Sequence, residues 1–370
     1  MNRNTALGLL FPNMHDEALP ELTAARAMGS VPFGGRYRLV DFALSNLVNA
    51  GVSKVGVLTK NNYQSLMDHL GSGKAWDLSR KTRGLYFLPP FGSGEEGYSG
   101  RISSLAGIRR FLESSQEDYV ILSDCHVVAN IDLKRMLRAH AENGADITVA
   151  YLVGTLPKSL LSPVLSMADN GQITDIRITD QCRGTVCYGI GLYVVSRTLL
   201  IRLVETAVSR NRLRFEWDIL QRHLGDLQLL GYPVTEWARV ISSLDTYFDA
   251  NMSLLNSTVR KELFLTCRPI YTKVRDCSPA VYGLHAQVTD SLIADGCHVD
   301  GVVEHSLLFR DVSVGKNCQI KNCLLLQGGV IGANSSLDYV ITDKNVCIRE
   351  HRSLQGCQGH PVSVRKGSII

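Results

Sequence analysis

Along the first 250 residues, short apolar runs rich in Val, Ile, Leu and Tyr alternate with amphipathic stretches. The runs at 5–11, 52–59, 85–88, 119–123 and 146–153 lack polar–apolar alternation, which predicts strands covered on both faces. The stretches at 41–50, 103–115 and 132–143 predict helices. In the second of these, Leu105, Ile108 and Leu112 recur at helical spacing while Arg109, Arg110 and Glu113 take the other faces. Strand and helix alternating at roughly 30 residues per unit predict a doubly wound, mostly parallel α/β sheet. Ligands of such sheets sit beyond the carboxyl ends of the strands, so 59–62 and 123–126 are expected to carry any chemistry.

Beyond about Pro279 the period changes. Val312, Cys318, Leu324 and Val330 fall six residues apart, as do Val314, Ile320 and Leu326, and Val340 and Val346 repeat the step. Small or aliphatic residues every six positions, with Gly and Asn between them, predict a hexapeptide β-helix whose inward residues stack from coil to coil. An ordinary β-sandwich is the competing arrangement. The expected division is an α/β domain over 1–249, a connector over 250–279 that begins with a helix at 250–265, and a β-helix over 280–370.

Composition narrows the function classes. Hydrophobic residues make up 45% of the 370 and charged residues 20%, which argues against a disordered or fibrous chain. A net charge of +4 with scattered basic residues gives no reason to expect nucleic acid as a partner. No apolar run reaches the length of a membrane span and the first ten residues lack a signal-peptide layout, so a cytoplasmic protein without membrane association is expected. Seven of the ten cysteines lie at or beyond Cys267, and none forms a Cys-x-x-Cys pair. Neither a zinc site nor a disulfide framework is expected; the cysteines read as small buried apolar residues. His69 and His140 read as helix-surface residues.

The segment 26–46 reads Arg-Ala-Met-Gly-Ser-Val-Pro-Phe-Gly-Gly-Arg-Tyr-Arg-Leu-Val-Asp-Phe-Ala-Leu-Ser-Asn. It resembles the signature of sugar-nucleotide pyrophosphorylases, most closely the ADP-glucose pyrophosphorylase (glucose-1-phosphate adenylyltransferase) family. The likeness continues through Val57-Leu58-Thr59, Phe87-Leu88-Pro89-Pro90, Ile121-Leu122-Ser123 with His126, Leu244-Asp245-Thr246-Tyr247, Ala250-Asn251-Met252 and Ile341-Thr342-Asp343-Lys344-Asn345-Val346. The resemblance implies a Rossmann-like nucleotidyltransferase domain followed by a left-handed β-helix, in agreement with the two periods. It also implies the family's reaction, in which ATP and glucose 1-phosphate give ADP-glucose and pyrophosphate. Both reactants are anionic, so this chemistry needs charge neutralisation more than acid–base catalysis. Active members use a Gly-rich loop after the first strand for the triphosphate, two aspartates for Mg²⁺, and the lysine of a Glu-Lys-Pro motif for the sugar phosphate.

The chain departs from that pattern at each point. The first-strand loop runs Gly8-Leu9-Leu10-Phe11-Pro12-Asn13-Met14-His15, with one glycine and no arginine. The first metal aspartate is matched by Cys125, with Asp124 one residue earlier and expected to point elsewhere. The second is matched by Val240, after Arg239. The region 176–184 has Arg177 and Arg183 but no matching lysine. Cysteine and valine are poor ligands for a hard Mg²⁺ ion, so no metal, cofactor or catalytic residue is expected in this chain. His126 reads as a structural remnant.

Basic residues that the resemblance assigns to an anionic effector are retained: Arg26, Arg38, Lys54 and Lys344, with Arg36 as an additional candidate. Met28 replaces a lysine that normally contributes. The resemblance therefore implies a catalytically degenerate, allosteric regulatory subunit in glycogen biosynthesis. Its partner would be a homologous catalytic subunit holding Mg²⁺, the assembly a heterotetramer. The competing functions are an active adenylyltransferase with substitute metal ligands such as Asp124, and a non-catalytic sugar-phosphate or nucleotide sensor.

Overall fold

The computed structural model describes residues 5–60, 62–89, 100–157 and 160–370. Residue 61 of the expected 59–62 loop and Pro90 of the quoted motif lie outside the described residues. Among the described residues nine strands form one mixed sheet. They are β1 (Ala6–Phe11), β2 (Lys54–Leu58), β3 (Gly84–Leu88), β4 (Tyr119–Asp124), β5 (Ile147–Thr155), β6 (Ser162–Met167), β7 (Ile173–Thr179), β8 (Thr185–Ser196) and β9 (Leu229–Pro233). β1 lies between β2 and β4, and these three with β3 run parallel. β8 then joins β4 and β5 antiparallel, and carries the hairpin of β6 and β7 at the far edge. The parallel half is the doubly wound part, because its apolar strands are covered on both faces. One core cluster holds Leu10, Val57 and Ile121; the other holds Leu9, Leu58 and Leu122.

The expected helices form at α1 (Leu39–Asn49) and at α5 (Leu133–Glu142), with Asp132 accepting the Arg135 N–H at the start of α5. The helix expected over 103–115 is two, α3 (Arg101–Gly107) and α4 (Arg109–Glu113), broken at Ile108. A further helix, α2 (Gln64–Leu70), precedes them, and α6 (Arg197–Ser209) packs on α3 and α4. No helix among the described residues is long and apolar enough to cross a membrane.

The second domain is a left-handed β-helix of three five-stranded parallel sheets among the described residues. Val303, Ile320, Leu337 and Leu354 stack in register, at 17-residue steps from 303 onward. Three strict hexapeptides would give 18 residues per coil, so one corner of each such coil is a residue short. A six-residue count therefore drifts, and it places Val330 inside. The structure turns Val330 outward at 45% exposure and buries Ile331 instead. Corners turn at Asn317, Asn322, Asn334 and Asn345 in the left-handed backbone region, which asparagine tolerates through local hydrogen bonds.

The cysteines divide. Cys297, Cys318 and Cys323 are buried in the β-helix core, where each thiol donates to a backbone carbonyl at 3.0 Å. Cys267 and Cys357 are exposed, and Cys277 and Cys347 half-buried, so only part of the cluster fills the core. All ten cysteines are free thiols. The connector also differs from one helix over 250–265. Its helices are α7 (Leu244–Met252) and α8 (Ser257–Leu263), separated where Asn256 takes an extended conformation and caps α8. Residues 265–280 run on without regular structure.

The third β-helix face is buried on both sides along its three middle strands. In its strands Leu307-Leu308 and Leu324-Leu325, one residue enters the β-helix core and the other meets the first domain. Leu307, Phe309, Leu324, Leu326 and Ile341 form one cluster with Phe33, Phe42, Tyr247, Phe248 and Leu254. Burial of such a side chain is worth about 1.5–3 kcal/mol, so this seam dominates the domain contact. A fully buried ion pair sets its register: Arg26 donates to both oxygens of Asp343 at 2.8 and 2.9 Å. Arg26→Met leaves Asp343 buried and unpaired, and should lower stability by about 3–5 kcal/mol in urea denaturation. Arg26→Met with Asp343→Leu should recover most of that loss.

Candidate functional site

The carboxyl ends of β1 and β4 meet where chemistry was expected, and the chain's own groups fill the space. Pro12 and Asn13 are buried. Gly29 donates its N–H to the Pro12 carbonyl at 2.9 Å, and Met28 its N–H to Asp16 at 2.7 Å. A Cβ at Gly29 would lie 2.8 Å from Pro12 Cβ and 3.3 Å from Cys125 Cβ, so the approach depends on glycine. Cys125 (1% exposed) and Val240 belong to one apolar cluster, Val240 pairing with Val127 in a short antiparallel ladder. Burial, then Asp124 and Asp41, push the Cys125 thiol well above its usual range. Both positions pack apolar surface. Arg177 and Arg183 are exposed.

Asp124 faces the other way, as strand alternation dictates, into a polar cluster that residue patterns alone did not reveal. Both its oxygens accept from Arg101, at 2.8 and 2.9 Å, and Oδ2 also lies 3.0 Å from His15 Nε2. Burial alone would raise Asp124; Arg101 and then His15 outweigh it and hold the carboxyl well below its usual range. The Arg101 guanidinium lies over the rings of Phe11, Tyr193 and Phe215 at 4.8, 5.2 and 5.5 Å, with Glu216 at 3.6 Å. A bulge in β8 puts Gly191 at φ +72°, where a Cβ would fall 2.2 Å from Asp124 Oδ2. His126 is buried, its ring centroid 3.9 Å from that of His15; burial, then His15, holds it well below its usual range.

A second site lies between the domains. Arg36, Arg38, Lys273, Arg275, Arg310 and Lys344 line one cleft with His69 and Tyr37. Arg38, largely buried, donates to the Ser65 backbone carbonyl and hydroxyl, and burial lowers it to about 10. Burial, then Arg38 and Arg26, lower Lys344 to about 7. The cleft is therefore a concave, strongly cationic surface, with Arg38 and Arg310 buried, Lys344 half-buried and Arg36, Lys273 and Arg275 exposed, and it is suited to an anion with several oxygens. Of the four basic residues singled out, it brings together Arg38 and Lys344. Arg26 is beside it but committed to Asp343. Lys54 is elsewhere: at the start of β2, it donates to Ser115 Oγ at 2.7 Å and sits over the Phe111 ring. Lys273, Arg275 and Arg310 carry no local motif, so only the domain contact makes them neighbours.

The two histidines expected on helix surfaces are buried. His69 Nε2 is 2.6 Å from Asp41, which also accepts the Arg38 N–H at the start of α1. His140 is paired with Thr148 at 2.8 Å, and burial lowers it to about 4.

Residues 17–177 match the family described as Nucleotidyl transferase, and residues 280–356 the one described as GlmU-like, C-terminal hexapeptide. Across whole chains, the glycogen biosynthesis protein GlgD of Bacillus subtilis (strain 168) is 34% identical over 370 residues, covering 100% of this chain and 98% of that protein. GlgD of Geobacillus stearothermophilus is 35% identical, covering 99% and 97%. A glucose-1-phosphate adenylyltransferase of Bacillus anthracis is 26% identical over 94% of each chain.

The packing of Cys125 is open to a direct chemical measurement. In the native protein at about pH 8, iodoacetamide should modify Cys267 and Cys357. Cys125 should react only after denaturation. Peptide mass spectrometry reads the outcome, and Cys125 labelling as fast as Cys267 would mean that the pocket floor is open.

Proposed function

The chain belongs to the family of GlgD and glucose-1-phosphate adenylyltransferase, proteins of glycogen synthesis, and from that premise we propose that it is a catalytically degenerate regulatory subunit. The observation that carries this reading is the fate of the two metal positions: Cys125 and Val240 lie in an apolar cluster. Neither offers an oxygen to Mg²⁺. The substitute ligand, Asp124, already has both oxygens on Arg101, which speaks against an active enzyme that recruits it. The subunit acts through a homologous catalytic partner that supplies Mg²⁺ and both substrates' sites, in a mixed tetramer.

Its regulatory part is the cleft between the domains. An anionic effector bound by Arg38 and Lys344, with Arg36, Lys273, Arg275 and Arg310 around it, would touch both domains at once. Such a ligand biases the domain contact, and through it the partner, by its differential affinity for the two arrangements.

The deciding assay is pyrophosphate release from ATP and glucose 1-phosphate. The chain alone should give none above background. Added to a catalytic homologue, it should co-purify and change the substrate affinity or effector response. Robust turnover by the chain alone would falsify the regulatory reading, and co-assembly with unchanged kinetics would favour a free-standing sensor.

The cleft has a pH signature. Lys344 loses its proton near pH 7 in the free protein, and a bound anion should hold the proton on. Binding then takes up a proton above about pH 7, and affinity should fall by up to about tenfold per pH unit as pH rises from there. Sulfate is the probe, because its own charge is constant over that range. Calorimetry in buffers of different ionisation enthalpy reads the proton; Lys344→Gln should abolish the uptake, and Arg38→Ala should weaken binding at every pH.

A further inference from the structure

His15, Asp124 and His126 present two imidazoles and a carboxylate whose donor atoms all lie within 4.8 Å of one another. This is a donor set for a transition metal of the Zn²⁺ or Co²⁺ kind, and differs from the all-oxygen shell that Mg²⁺ prefers. His126 is 2% exposed, and its Nδ1 has no hydrogen-bond partner among the described residues. Gly191 lets the β8 backbone close over Asp124, so the carboxylate is held by the fold from one side and by Arg101 from the other. The positive charge that Asp124 needs is thus already present, tethered to α3 and caged by three aromatic rings.

We propose that His15, Asp124 and His126 form a latent transition-metal site, and that Arg101 is the built-in cation that keeps it shut. A dication would have to share Asp124 with a guanidinium that is covalently tethered and therefore always at high effective concentration. Two positive charges on one desolvated carboxylate repel strongly, and the tethered one wins at ordinary metal concentrations. The site differs from the family's magnesium positions, which Cys125 and Val240 occupy. It deepens the reading of this domain as catalytically silent, because the same arginine that replaces a metal also fills the space beyond β1 and β4.

The test is a Co²⁺ titration of the full chain, followed by visible absorption, which reports imidazole and carboxylate coordination directly. Wild type should show no Asp124-dependent cobalt band. Arg101→Met should bind Co²⁺ at least about tenfold more tightly than wild type, because the competing charge is gone. Arg101→Met with Asp124→Asn should lose the band, and so should Arg101→Met with His126→Ala. Circular dichroism checks folding; if Arg101→Met unfolds, Arg101→Lys keeps the charge but loses the bidentate grip, and should bind with intermediate affinity. Wild type that binds Co²⁺ through Asp124 as tightly as the variants, or a folded Arg101 variant that takes none, would overturn the proposal. Turnover by wild type in the pyrophosphate assay is a separate failure: it would sink the silent-subunit reading and leave the titration to stand or fall by itself.

Discussion

Because the third face of the β-helix buries both sides of its three middle strands, the second domain cannot expose that part of the face to water without a large cost. Leu307, Leu324 and Ile341 need the aromatic cluster of Phe33, Phe42, Tyr247 and Phe248 as much as that cluster needs them. The contact then dictates what surrounds it. Arg38 immediately precedes α1, Lys273 and Arg275 come from the extended connector, and Arg310 and Lys344 from β-helix coils two turns apart, with Gln327 of the intervening coil between them. No one of these segments makes a site. Docked along an apolar seam, they place six cations around one hollow, and the Arg26–Asp343 pair fixes the offset at which they meet.

Charge balance explains how the first domain packs the ends of its central strands. A buried carboxylate at a strand end must be neutralised or removed. At Cys125 and Val240 there is no charge to neutralise, and both side chains belong to the apolar cluster. Asp124 represents neutralisation, by an arginine whose own desolvation is offset by the same carboxylate, by Glu216 and by three ring faces.

Most of the architecture was legible in the sequence, because strand and coil periods are local properties. The five expected strands and the change of period near residue 280 correspond to observed elements; the helices at 41–50 and 132–143 fall within a few residues, while those at 103–115 and 250–265 are each broken in two. What local pattern missed has identifiable causes. The 17-residue coil drifts from a six-residue count, so Val330 faces out. Antiparallel β8 interrupts the parallel order because it returns from a β-hairpin whose amphipathic strands carry no crossover helix. The site was less legible. Arg38 and Lys344 were visible through the resemblance, whereas Arg101 lies over 20 residues from Asp124 and joins it only through the fold of α3 against β4. His69 and Asp41 likewise meet only in three dimensions.

The Arg101–Asp124 pair also limits which single substitutions the chain can accept. Neither partner is easily replaced alone, because each single substitution leaves the other buried and uncompensated. Losing Arg101 first strands a desolvated carboxylate, and losing Asp124 first strands a desolvated guanidinium. An aspartate placed at Cys125 would set a new negative charge in an apolar cluster, next in sequence to one already buried. These substitutions are coupled neighbours, whose effects do not add. The pair therefore acts as a ratchet: once closed, it resists any one-step replacement of either partner.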